Sequence, residues 1–229
     1  MRYGLGILAV MAWAVSSPVQ AQTTAPPVAP DPNAGVEKTL ETCFQCHGPG
    51  GISRIPSRPS IAGQSADYVA RQLFAFKRAA ALHLGNSDTD ADADNSTDRV
   101  RVDPIMEHMG TSLDDALIGR VALAVSQLAC RADDVAQKTP TPPQVARRCA
   151  SCHGLNGRAT RADIPNLAGQ QRAYLRRELL LIRETAWGAE PREGESWRGH
   201  PIMEAQAARL KIEDVDALAR FYSSLDCRG

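Results

Sequence analysis

The chain has 229 residues, 43% of them hydrophobic and 23% charged, which is room for one or two small globular domains. Its 26 basic and 26 acidic side chains leave no formal net charge, which excludes the basic footprint of a nucleic-acid-binding protein. Arg2, the apolar run 4–15 and the small residues around Val19-Gln20-Ala21 read as an export signal over residues 1–21, cleaved after Ala21. The apolar run is short for a membrane span, an uncleaved anchor being the alternative, and no other stretch is long enough to cross a bilayer. Residues 22–34, with Pro26, Pro27, Pro30 and Pro32, read as a tether. A first domain is expected over 35–130, a linker with Pro140, Pro142 and Pro143 over 131–143, and a second domain over 144–229.

Each domain opens on the same five-residue pattern, Cys43-Phe44-Gln45-Cys46-His47 and Cys149-Ala150-Ser151-Cys152-His153. A lone Cys-x-x-Cys is also the pattern of a thioredoxin-like redox pair or half a zinc site. With histidine following, and the whole repeated, the spacing is that of covalent haem attachment. Two thiols add across the vinyl groups of one haem, and the next residue falls beneath the iron as its proximal ligand. Cys43, Cys46, Cys149 and Cys152 are therefore the expected anchors of two haem c groups, and His47 and His153 the expected iron ligands.

The rest of the chain repeats as well. An offset of 106 carries Cys43 to Cys149, Pro59 to Pro165, Ala62-Gly63-Gln64 to Ala168-Gly169-Gln170 and Tyr68 to Tyr174. Later the offset is 97, carrying Pro104-Ile105-Met106 to Pro201-Ile202-Met203 and Cys130 to Cys227; the difference is nine extra residues in the first copy. They fall within 85–99, where Asp88, Asp90, Asp92, Asp94 and Asp98 suggest a calcium loop. Ala93 stands where such a loop needs glycine and Arg99 where it needs glutamate, so a solvated acidic loop is expected.

Within each copy the apolar spacing is helical. Val69, Leu73, Phe76 and Ala80 form one stripe, answered by Leu175, Leu179 and Ile182. A closing helix carries Ile118, Val121, Ala122, Val125 and Leu128, answered by Val215, Leu218, Ala219, Tyr222 and Leu225. Ser65 is the expected N-cap of the first stripe. Ser112 with Asp115 forms a capping box for the closing helix of copy one, which Arg209 does not reproduce in copy two. A short helix before each Cys-x-x-Cys-His completes a three-helix plan, and the predicted class is all-α.

Function turns on the sixth position of each iron, because a haem with only a proximal histidine is open to ligands. Met106 and Met203 stand in identical Pro-Ile-Met contexts, on a loop able to wrap the distal face, and are the expected sixth ligands of the two irons, core packing being the alternative use of methionine. His108 and Met109 are rivals in copy one; His83 and His200 lack repeat partners and are expected at the surface or beside the ligands. The carbonyls of Pro59 and Pro165 would suit the other N–H of each proximal histidine, the alternative being plain turn prolines.

Cys-x-x-Cys-His-Gly, Pro-x-x-Ala-Gly-Gln before Tyr, Pro-Ile-Met and a closing helix, twice over, resemble the dihaem cytochrome c4 family of tandem class I cytochromes c. The resemblance covers nearly all of the mature chain. It implies two haem domains about a pseudo-twofold axis, His/Met ligation of both irons, and a soluble or membrane-associated electron carrier in the periplasm, where c-type haem is attached. Terminal oxidases, bc1-type complexes or dehydrogenases would be its partners. On this reading the chain is no enzyme. The alternatives are a dihaem peroxidase or sulfur-compound oxidoreductase with one open iron, and a cytochrome subunit of a dehydrogenase complex. The extra cysteines Cys130 and Cys227 would meet in an interdomain disulfide only if both lie close to the pseudo-twofold axis.

Overall fold

In a computed structural model, residues 35–84, 101–130, 140–190 and 194–227 are described. The export signal, the tether, the acidic loop and most of the linker lie outside them.

Among the described residues, two sets of four α-helices follow one another. In the first, α1 (Val36–His47) ends on the first haem motif and is followed by one 3-10 turn (Pro49–Gly51). Then come α2 (Ala66–His83), α3 (Pro104–Thr111) and α4 (Asp115–Gln127). The second set is α5 (Ala146–His153), α6 (Arg172–Ala186), α7 (Pro201–Ala207) and α8 (Ile212–Ser223). Helix α2 packs on α3 and α4, and α6 on α7 and α8. Each set keeps its own core: Val36, Val121 and Val125 join Leu40, Ile61, Val69 and Leu117 in the first. Leu175, Val215, Leu218, Ala219, Phe221 and Tyr222 stand at the centre of the second.

Four features differ from the sequence-based expectation. The Pro-Ile-Met segments begin helices, so each copy has four α-helices among the described residues where three were expected. Proline is suited to the first helical position, where no N–H is needed. Asp103 accepts the backbone N–H of Met106 at 3.2 Å, and His200 Nδ1 accepts that of Met203 at 3.3 Å. The closing helix of copy one is capped by Asp114, whose carboxylate accepts the N–H of Leu117 at 2.7 Å, whereas the Ser112 hydroxyl donates backward to the Met109 carbonyl. In copy two the equivalent N-cap is Lys211, whose own N–H is taken by the Asp214 carboxylate at 3.1 Å. Ser65 does hold the N-cap position of α2, but its hydroxyl donates across the molecule to the Ala162 carbonyl.

The fourth difference is a two-stranded antiparallel ladder, β1 (Arg101–Val102) with β2 (Trp197–Arg198), which pairs Arg101 with its own repeat equivalent, Arg198. The class remains all-α. That pairing locates the pseudo-twofold axis, and other contacts are exchanged about it. The Gln64 amide bonds both backbone groups of Asn166 at 2.8 and 3.0 Å, while Gln170 does the same to Ser60 at 2.8 Å each. Since Asn166 is the equivalent of Ser60 and Gln170 of Gln64, the interface is isologous. Cys130 and Cys227 meet in a disulfide with Cα atoms 6.1 Å apart. Gly63 and Gly169, at φ of 68° and 70°, run so close to it that an added Cβ would meet the Cβ of Cys130 at 2.9 Å and that of Cys227 at 3.2 Å. Glycine is required there both for conformation and for space.

Candidate haem sites

The last turn of α1 carries Cys43, Cys46 and His47, and that of α5 carries Cys149, Cys152 and His153. Each helix stops at once on a glycine, Gly48 (φ 79°) or Gly154 (φ 75°), where a Cβ would collide with the carbonyl of Ile52 or Arg158. The chain then turns back so that a proline carbonyl faces the histidine it has just left. His47 Nδ1 donates to the Pro59 carbonyl at 2.8 Å, and His153 Nδ1 to that of Pro165 at 3.0 Å.

A carbonyl can only accept, so this bond fixes the proton on Nδ1 and leaves the lone pair on Nε2. Both rings are buried, with 8% and 5% of their surface exposed. Burial pushes both imidazoles below the ordinary histidine range, against the opposing pull of the proline carbonyls, so the neutral form a metal needs is favoured.

His47 and His153 open on one continuous cavity, and Met106 and Met203 line it too. His108 and Met109 do not. His83 instead bonds Glu107 at 2.9 Å, and His200 caps α7. The stripes Val69–Leu73–Phe76 and Leu175–Leu179–Ile182 face the same cavity. They thus border this cavity, and Val69, Leu175 and Leu179 also pack within their own helix sets. Cys43, Cys46, Cys149 and Cys152 form no disulfide, in contrast to Cys130 and Cys227. Burial raises the thiols of Cys43 and Cys149.

These residues fit two haem c groups. Each half presents two cysteines outside any disulfide at thioether spacing, one imidazole nitrogen pre-set for metal, one methionine sulfur, and an apolar wall. At the junction of the halves the wall turns polar. Arg101 donates to Tyr174 Oη at 2.7 Å, to Glu178 at 3.1 Å and to the Gln72 amide oxygen. Arg198 donates to Tyr68 Oη at 2.8 Å and to Glu178 at 2.6 Å. Each arginine thus crosses to the tyrosine of the other copy. Sequence reading missed this cluster, although Arg101 and Arg198 are related by the same offset of 97 that matches the two methionines. The Gln64 and Gln170 clasps were likewise visible as repeat markers without an assigned role.

A family model described as Cytochrome c matches residues 144–226. Cytochrome c4 of Thiocapsa roseopersicina is 28% identical over 206 residues, covering 89% of this chain and 97% of that protein. Cytochrome c-554(548) of Halomonas halodenitrificans is 31% identical over 77 residues, 33% of this chain and 82% of that protein. A thiosulfate dehydrogenase electron acceptor of Stutzerimonas stutzeri strain A1501 is 22% identical over 205 residues, covering 83% of this chain and 82% of that protein. Among solved structures, reduced recombinant cytochrome c4 from Pseudomonas stutzeri superimposes with a TM-score of 0.58 at 25% identity, covering 86% of this chain and all of that one.

Proposed function

Because the chain belongs to the cytochrome c family, as a tandem dihaem member of the c4 type carrying two haem c groups, we propose that it shuttles single electrons between redox proteins in the periplasm. His47 and Met106 hold one iron, and His153 and Met203 the other; Cys43 with Cys46 and Cys149 with Cys152 supply the thioethers. The bound haems supply the ferric–ferrous couple. The chain's own residues orient the ligands and keep water away. Pro59 and Pro165 hold the imidazoles, and the capped starts of α3 and α7 hold the methionine backbones. Residues 35–130 and 144–229 act as the two haem domains joined by 131–143, and residues 1–21 export the chain. A disulfide between Cys130 and Cys227 agrees with an oxidising compartment. No helix among the described residues is long and apolar enough to cross a membrane.

The observation that carries this reading is the doubling: a histidine fixed by a proline carbonyl and a methionine after Pro-Ile face one cavity in both copies. A dihaem peroxidase or sulfur-compound oxidoreductase needs one iron with a vacant or displaceable sixth position, and a methionine candidate in each copy argues against it. With both sixth positions filled, no side chain is needed as acid, base or nucleophile. Likeness to a thiosulfate dehydrogenase electron acceptor favours a dehydrogenase among the partners, with the chain working as its acceptor. Anaerobic titration with a one-electron reductant tests the carrier reading. Two equivalents taken up per chain, with no change on adding cyanide to the ferric protein, are expected. Rapid cyanide binding at one iron would move the reading to the enzyme.

A further inference from the structure

At the pseudo-twofold axis every position occurs twice, and one pair of equivalents differs in charge at the centre of the buried cluster: Gln72 on α2 and Glu178 on α6. Glu178 is 5% exposed, and both arginines converge on its Oε2. Burial alone would raise its carboxyl, but Arg101, Arg198 and the half-exposed Arg177 outweigh that and hold it down at about 2, so it is ionised at neutral pH. Among the described residues, two buried guanidiniums and the half-exposed Arg177 therefore share one carboxylate, and the cluster stays net positive.

The sharing is unequal. Glu178 lies 2.6 Å from Arg198 and 3.1 Å from Arg101, whose other partners among the described residues, Gln72, Tyr174 and the Phe76 ring, are neutral. Arg101 is among the charges that act on His47, whereas Arg198 acts on His153. The first haem site thus faces the less neutralised cation. A positive charge favours the ferrous iron, which carries one positive charge fewer, and a carboxylate favours the ferric.

Resting on the His/Met dihaem reading above, we propose that Glu178 is a potential-setting residue selective for the second haem: shared by the arginines of both repeats but contributed by the second alone, it lowers the second potential more than the first. Asp103, which caps the Met106 helix where the second repeat has His200, is a separate charge on the first site. The native gap between the two potentials therefore sums both effects, and the test reads shifts upon substitution.

Redox potentiometry of the intact holoprotein, with the two waves assigned by Met106→His and Met203→His variants, provides that test. Glu178→Gln is expected to raise the second potential by about tenfold in the reduction equilibrium, about 59 mV for a one-electron couple, and the first by less. Gln72→Glu, which gives Arg101 a carboxylate of its own, is expected to lower the first selectively, and the double exchange to reverse the bias. Gln72→Glu adds a partner to a buried cation, so it provides a readout even if Glu178→Gln folds poorly. Equal shifts of both waves in either variant, or no shift, would overturn the proposal. A ferric spectrum lacking His/Met character in the unaltered protein would instead overturn the underlying reading.

Discussion

The two repeats agree where each must hold its own haem and disagree where they meet. The haem motif, the glycine after it, the proline carbonyl on the histidine and the Pro-Ile-Met helix recur in matching places. Caps and central charges do not recur: Asp103 answers to His200, Asp114 to Lys211, and Gln72 to Glu178. Val125 on α4 likewise answers to Tyr222 on α8, so the closing helices fill their cores differently. On the proposed reading the duplicated chemistry tolerates no drift, because each iron takes one histidine and one methionine. An axis residue touches both halves at once, so one copy of a charge serves two sites and its equivalent is free to change.

The largest expected effect tests the agreement. Met106→Ala and Met203→Ala should each abolish one of the two methionine–iron charge-transfer equivalents, turn that iron high-spin and let it bind cyanide, read by ferric absorption. An unequal outcome, one variant silent, would show the repeats to differ in ligation.

Next comes the covalent tie. The disulfide closes a sequence separation of 97 residues, and replacing both Cys130 and Cys227 by Ser should cost about 4.7 kcal/mol of stability by loop entropy, measured by denaturant titration. A loss confined to one repeat's transition would mean that the tie belongs to that repeat and does not join the two.

A smaller effect comes from the mismatch at the centre. Because the folded carboxyl of Glu178 lies below its ordinary 4.5, at about 2, the stabilisation is present above pH 4.5 and is lost as pH falls toward 2. It amounts to about 3 kcal/mol by linkage. Glu178→Gln should lack this acid limb, so its stability difference from the unaltered protein should shrink across that window. A difference independent of pH would place the carboxylate outside the ion network.

Smallest is the mismatch of caps. Asp114→Ala removes a side-chain cap and should cost about 1 kcal/mol. Lys211→Ala leaves the Asp214 bond to the backbone intact and should change stability by less than about 0.5 kcal/mol.

Much of the site was legible in the chain because haem attachment is written in contiguous residues. Thioether spacing marks Cys43, Cys46 and His47 within five positions, and duplication singles out Met106 and Met203, all of which line one cavity. The long helices α2, α4, α6 and α8 were legible from their apolar period. Helices α3 and α7 were read as loops because eight and seven residues are too few to show a period, and a two-residue ladder leaves no pattern at all. The cap of α4 was misplaced by two residues, since Ser112 and Asp114 are both good caps and only the backbone geometry chooses. The Arg101–Tyr174 and Arg198–Tyr68 contacts join residues 73 and 130 apart. No local signal encodes such pairs, although applying the repeat offsets to charged residues as well as to motifs would have found their members.

The claim beneath all of these is that both irons are closed by histidine and methionine. Absorption spectroscopy of the ferric holoprotein with a haem count tests it most directly. Two haems per chain and two equivalents of the methionine-to-iron band are the predicted result. One high-spin haem that binds cyanide readily would contradict it.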